Sequence, residues 1–425
     1  MPAFPNRSVC ALALLSIALV ACNLANVPDS LRSPTPTEDL SPADPPTATI
    51  EAPTAAPTDA VVILESLRVP GVSAVDNALV YDQATRATLG RRDMFFWPDG
   101  NIGFYAIENG YRFFAANSVL SARTTGSLED PAAAVEDNRQ RIGGASSEFA
   151  HLSGGPIYRD PATGMLIMFY HAERHLDGVG RLFHAALGLA VSFDDGKNFK
   201  DLGIILETNA PPDISAPCCA DMAGAPFAIK DGTFYLYFRD RNNVPGGLQV
   251  VHLALATAPV AEVVAAAGVG RTSEWRKYDG GAGTPGLRGS SLPLESGNPR
   301  TSWFSVTYNS TLDQFLMVIA RHGFISDPSQ LYLITSEDGI HWSPRVLLDE
   351  CECELTYPSI IGVEGDPYST GKTFYIYHVR TPPDEEFRWH QTPLYRMTVT
   401  LSGEMERLPS AWEFETEWDR PIRSR

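Results

Sequence analysis

Apolar and polar positions alternate along most of this chain in short runs that turns repeatedly interrupt. The stretch "GPIYRDPATGMLIMFYHA" (155–172) shows the unit: an apolar strand, a polar turn, and a second strand heavy in Met, Ile, Phe and Tyr. The same shape returns in "GFYAIENGYRFFAAN" (103–117), "APFAIKDGTFYLYFRD" (225–240), "WFSVTYNSTLDQFLMVIAR" (303–321) and "YPSIIGVEGDPYSTGKTFYIYHV" (357–379). Asn-Gly, Asp-Gly and related turns between apolar runs are the strongest short-range signal for a hairpin.

A third strand follows each hairpin, as in "LGLAVSFDDGKNF", "LQVVHLALATAPV" and "QLYLITSEDGIHW". A unit of this size cannot bury both of its faces alone, and stacking copies around an axis solves the problem. The pattern therefore predicts an all-β, five-bladed β-propeller, each blade a three- to four-stranded antiparallel sheet, running from about residue 90 to 402. A β-sandwich also produces regular hairpins, but it would not repeat one internal grammar. "PVAEVVAAAG" (259–268) reads as a short helix in the outer connection of the third blade.

The ends of the chain follow different rules. "ALALLSIALV" (11–20) is a compact apolar run, too short to span a bilayer core of about 30 Å and suited to a secretory signal. The "LVAC" that ends at Cys22 resembles the bacterial lipoprotein lipobox, which implies cleavage of residues 1–21 and acylation of Cys22. Residues 22–60 are rich in Pro, Thr and Ala, a composition that cannot bury enough apolar area to fold. They read as an extended tether, with the propeller domain occupying 61–425. The expected location is the outer face of the cytoplasmic membrane, held by the N-terminal lipid only.

The composition is acidic, with 33 basic against 51 acidic residues and a net charge of −18. With no basic stripe, nucleic acid is not an expected partner, and the acidity describes a soluble secreted surface; the chain is expected to be a monomer. Beyond Cys10 and Cys22, the cysteines form two close pairs, Cys218 with Cys219 and Cys351 with Cys353. Outside the cytosol these four are expected as disulfides, either one within each pair or two between the pairs. Their spacing lacks the two-residue gap of zinc knuckles.

"SFDDGKNF" (192–199) and "SEDGIHW" (336–342) resemble the Asp-box turns of sialidases and the related turns of five-bladed glycosidases. Together with "SWFSVTYNSTLDQFLMV" and "TYPSII", they make the chain similar to the furanosidase-like clan of glycoside hydrolase families 43, 32 and 130. That resemblance implies a propeller fold and action on a glycan. It departs from family 43 at "AGAP" (223–226), where the acidic Glu of that family would stand. A sialidase proper would need an arginine triad, six blades and a "FRIP"-like start.

Aligning the five units places Asp99, His151 and Asp221 at a common level before their inner strands, with Arg300 and Glu354 within one residue of it. In a propeller these positions ring the mouth of the central funnel, where ligands bind. Glycoside cleavage needs two carboxyl groups in different environments, and neighbouring like charges would separate their pKa values. Asp99 is the expected base or nucleophile, with Asp93 in reserve, and Glu354 or Asp221 the expected acid. Arg300 and His151 would hold substrate, while Trp303 and Tyr357 would stack on a sugar face. No cofactor is required. A carboxylate-and-His rim would also suit a structural calcium or manganese ion, although no ligand spacing demands a metal. The expected partner is an oligo- or polysaccharide, and the alternative is a non-catalytic propeller that binds carbohydrate or protein.

Overall fold

The computed structural model describes residues 68–81, 97–117, 120–140, 142–176, 183–210, 222, 224–243, 249–294, 301–321, 328–363, 366–381 and 393–407. They form five antiparallel-based sheets of four or five strands each, the blades of a five-bladed β-propeller. The inner strands are Gly103–Ile107, His151–Arg159, Phe227–Lys230, Thr301–Asn309 and Glu354–Gly362. Each opens one of the five repeats read from the sequence. The helix expected in the third blade is present as Val260–Gly268.

The second strand of each blade is apolar on both faces because both faces are buried against neighbouring blades. Ile167 and Phe169 pack towards the third blade with Phe234, Leu236 and Phe238. The alternate residues Leu166, Met168 and Tyr170 pack towards the first blade with Tyr105 and Phe114. Tyr237 and Leu255 meet Phe315 and Met317 of the fourth blade, and Leu316 and Val318 meet Ile376 and Val399 of the fifth. Tyr377 and Val379 then return to Phe104 and Phe113 of the first blade. Five apolar clusters at five blade junctions close the circle.

The ring is also closed through the backbone. The strand Arg68–Tyr81 pairs antiparallel with Leu394–Arg407, with Val72 opposite Leu401 and Leu79 opposite Tyr395. The first described strand is thus the outermost strand of the last blade, a closure that the repeat reading had not assigned. Tyr81 is buried and meets Trp97 edge-on at 5.1 Å.

Near the axis the blades approach closely. Asn101 donates from Nδ2 to the carbonyl oxygens of Phe304 at 2.8 Å and Pro358 at 2.7 Å, tying the first blade's entry to the fourth and fifth blades. A Cβ at Gly155 would lie 1.9 Å from the Asn101 carbonyl oxygen, so only glycine fits there.

The two Asp-box-like turns lie between blades. Ser192 Oγ donates to Asp194 Oδ1 at 2.8 Å and accepts from Gly196 N at 2.9 Å. The neighbouring Asp195 holds Tyr105 and Arg112 of the first blade. In the second turn Ser336 and Asp338 repeat the pattern, and Tyr237 of the third blade donates to the Gly339 carbonyl at 2.9 Å. These turns are fasteners between blades.

Candidate active site

Asp99 stands in the loop entering the first inner strand, its amide donating to the Ala116 carbonyl at 2.9 Å. The next residue, Gly100, has φ +145°, which a side chain would strain. Asp99 is half-buried. Burial pushes its carboxyl above the usual carboxylate range; His151 and the Tyr357 hydroxyl pull it back, and Glu173 pushes it up further.

Tyr357 reaches Asp99 from the fifth blade, its hydroxyl donating to Oδ1 at 2.8 Å. It does so from a left-handed backbone conformation, φ +51°, within a register shift between Thr356 and Ser359. A bulky residue at positive φ is strained, and a β-bulge re-aims its side chain. Burial first, and the adjacent Asp99 second, hold the Tyr357 hydroxyl protonated far above its ordinary range, so it remains a donor.

The ring of Tyr357 is only 2% exposed. This differs from the expected role in sugar stacking: the bulge turns the side chain into the protein, where it presents its hydroxyl to Asp99. Trp303, on the fourth inner strand, meets the Tyr357 ring edge-on at 4.7 Å and is half-buried, so part of its indole remains open.

Glu354 opens the fifth inner strand, opposite Thr381. It is half-buried, and burial raises its pKa. Its charge, like those of Asp99 and Glu173, bears on Tyr357. The expected mechanism for separating carboxyl pKa values was mutual repulsion; burial is the larger cause at both Asp99 and Glu354. Just before Glu354, Cys351 and Cys353 are joined in a disulfide, the within-pair choice.

His151 is the first residue of the second inner strand, with Ser153 Oγ 2.6 Å from its Nε2. Residues the rim alignment missed lie beside it. Glu173 is directly opposite His151 and His171 is opposite Ser153. The His151 and His171 rings are 5.8 Å apart. His175 Nε2 lies 2.9 Å from Glu173 Oε2. Burial pushes His171 down to about 4; Glu173 opposes this, while His151 and Arg239 add to it, so the imidazole is neutral at pH 7. The signal for this group is "HAERH" (171–175), since residues at i, i+2 and i+4 of a strand share one face.

Asp99, His151, Glu354, Trp303 and Tyr357 therefore lie on inner strands or on the loop leading into one, with Tyr357 linked directly to Asp99 and Trp303. Asp93, Asp221, Arg300, Cys22, Cys218 and Cys219 lie outside the described residues. As for calcium, which takes six to eight oxygen ligands, the metal-capable group among the described residues is His151, His171 and Glu173, two imidazoles and one carboxylate. That donor set does not fit calcium.

No family model matches the sequence, and no curated protein matches it. Solved structures do. The catalytic domain of a Coprinopsis cinerea GH62 α-L-arabinofuranosidase aligns with TM-score 0.47 and 8% identity, over 80% of this chain and 98% of that one. A Cellvibrio cellulosa α-L-arabinanase, solved with arabinohexaose, aligns with TM-score 0.42 and 13% identity, over 72% and 94%. An N-acetylgalactosamine deacetylase from F. plautii, solved with blood group B trisaccharide, gives TM-score 0.40 and 13% identity, over 79% and 95%. Values this low carry no residue correspondence, and the functional argument rests on the site's own geometry.

Proposed function

We propose that this protein is a glycan-acting hydrolase whose carboxyl pair, Asp99 and Glu354, works at the mouth of the propeller funnel. The observation that carries the reading is the strained Tyr357, held in a left-handed bulge with its hydroxyl on Asp99. Backbone strain of this kind costs on the order of 1–3 kcal/mol and is concentrated at functional sites. Glu354, raised by burial, is suited to hold a proton and deliver it to the glycosidic oxygen as the bond to the leaving group breaks. Asp99, held by a hydrogen bond that favours its ionised form, acts on the anomeric carbon directly or by deprotonating a water. The half-open indole of Trp303 offers a surface for a sugar ring.

The proposed setting is the outer face of the cytoplasmic membrane, with Cys22 lipidated and residues 22–60 as the tether. The Cys351–Cys353 disulfide supports a compartment outside the reducing cytosol. Incorporation of labelled palmitate that is lost in Cys22→Ala would support the anchor, and unchanged labelling would remove it.

The enzymatic reading is tested with a panel of aryl glycosides and plant and microbial polysaccharides. Turnover by the native protein, with turnover lost and binding retained in Asp99→Asn, is the expected result. Binding without turnover on every member of the panel would instead establish a carbohydrate-binding propeller.

A further inference from the structure

We infer that the first two strands of blade two form a binding site for a divalent transition-metal ion of the zinc class, with His151, His171 and Glu173 as ligands. One donor atom from each residue lies within 4.8 Å of the other two. Small side-chain rotations bring such atoms to the roughly 3.4 Å edge of a tetrahedral zinc site. The placement follows from strand geometry: His151 and Glu173 are cross-strand partners, and His171 is two residues before Glu173 on the same face.

Two further observations point to a ligand. The Nε2 of His171 is shielded from solvent and has no hydrogen-bond partner among the described residues. A buried nitrogen left in this way loses its hydration without compensation, and coordination to a cation would restore a partner. In addition, two of the three residues have the outer partners that orient metal ligands. Ser153 Oγ lies on His151, and His175 Nε2 holds Glu173 through Oε2, leaving the other carboxylate oxygen available.

Two imidazoles and a carboxylate suit zinc, iron or manganese, and three protein ligands leave positions open for water or for oxygen atoms of a bound molecule. His151 and Glu173 both act electrostatically on Asp99, so the group lies near that carboxyl. The site does not depend on the glycan reading: a metal-binding protein without glycosidase activity, or a glycosidase without the metal, would separate the two.

The test uses the full secreted domain, stripped with a chelator and titrated calorimetrically with zinc chloride and, separately, with calcium chloride. We expect one zinc ion per chain at micromolar affinity or tighter and no stoichiometric calcium. Zinc binding should be lost in His171→Ala and in Glu173→Gln, and weakened about 10-fold in Ser153→Ala. Circular dichroism melting identifies any variant that fails to fold. Anomalous diffraction at the zinc edge from native crystals, which needs no variant, should give a peak between the three side chains. No stoichiometric zinc, undiminished binding in folded His171→Ala and Glu173→Gln, or an anomalous peak elsewhere would overturn the proposal.

Discussion

Tyr357 and Asp99 are 258 residues apart in sequence, yet the tyrosine hydroxyl donates to the aspartate across 2.8 Å. The contact joins the entry to the first blade with the inner strand of the fifth, so the same closure that completes the ring also assembles this half of the site. Tyr357 is strained to make it, and its hydroxyl is one of the forces keeping the Asp99 pKa from rising further.

Replacing Tyr357 with Phe removes that hydrogen bond while keeping the ring. Hydrogen bonds to charged groups contribute about 1.5–3 kcal/mol, so kcat/KM should fall roughly 10- to 100-fold at neutral pH on whichever substrate the panel identifies. The sign of the pH effect is fixed. In the proposed role Asp99 must be ionised, so activity should be lost as pH falls through its raised pKa. The acid limb of the native profile should therefore lie above the ordinary Asp value of 3.8, and in Tyr357→Phe it should move higher still. An unmoved acid limb would remove Asp99 from the chemistry.

The closing strand makes a separate prediction. Deleting residues 1–60 removes only the expected signal and tether, and the melting temperature should not change. Deleting residues 1–81 also removes Arg68–Tyr81, exposing the edge of Leu394–Arg407 and uncovering the cluster around Trp97. Exposed sheet edges template association. The longer deletion should lower the melting temperature and aggregate, as measured by calorimetry and light scattering, whereas equal melting of both proteins would show that the ring does not depend on this strand.

His378 lies fully buried in the fifth blade, where Arg380 Nε donates to its Nε2 at 3.1 Å. Burial pushes its pKa down from 6.5 to about 4, against a smaller upward pull from the Ile376 backbone. Between those values the unfolded chain binds more protons than the folded one, so this contribution to stability is complete above pH 6.5 and disappears as pH falls to about 4. The difference corresponds to about 3 kcal/mol. Urea denaturation at a series of pH values should show a shallower acid decline in His378→Gln than in the native protein, and parallel declines would contradict it.

How much of this was legible in the sequence depended on whether a feature repeats locally. The five hairpins could be read because each carries its own turn and its own doubly apolar second strand, as at Phe113 and Phe114 or Phe234 and Tyr235. The closing strand could not, since "RVPGVSAVDNALVY" has no turn and no partner nearby in sequence; its partner is at the other end of the chain. In the candidate site, Asp99, His151 and Glu354 are the positions that aligning the repeats brings forward. His171 and Glu173 are not among them, because they stand on a second strand, whose pattern is that of a buried core strand. Their alternation with Ala172 was the available signal. The positive φ of Tyr357 has no counterpart in its residue type, so the residue type alone points to sugar stacking rather than to a buried hydroxyl donor.

The most direct measurement of the central claim is a crystal structure of the protein soaked with an oligosaccharide that it binds in solution. The account predicts sugar density in the funnel mouth, with hydroxyl or glycosidic oxygens within hydrogen-bond reach of both Asp99 and Glu354 and a ring against Trp303. Density confined to an outer blade surface, with Asp99 and Glu354 contacting no sugar, would contradict it.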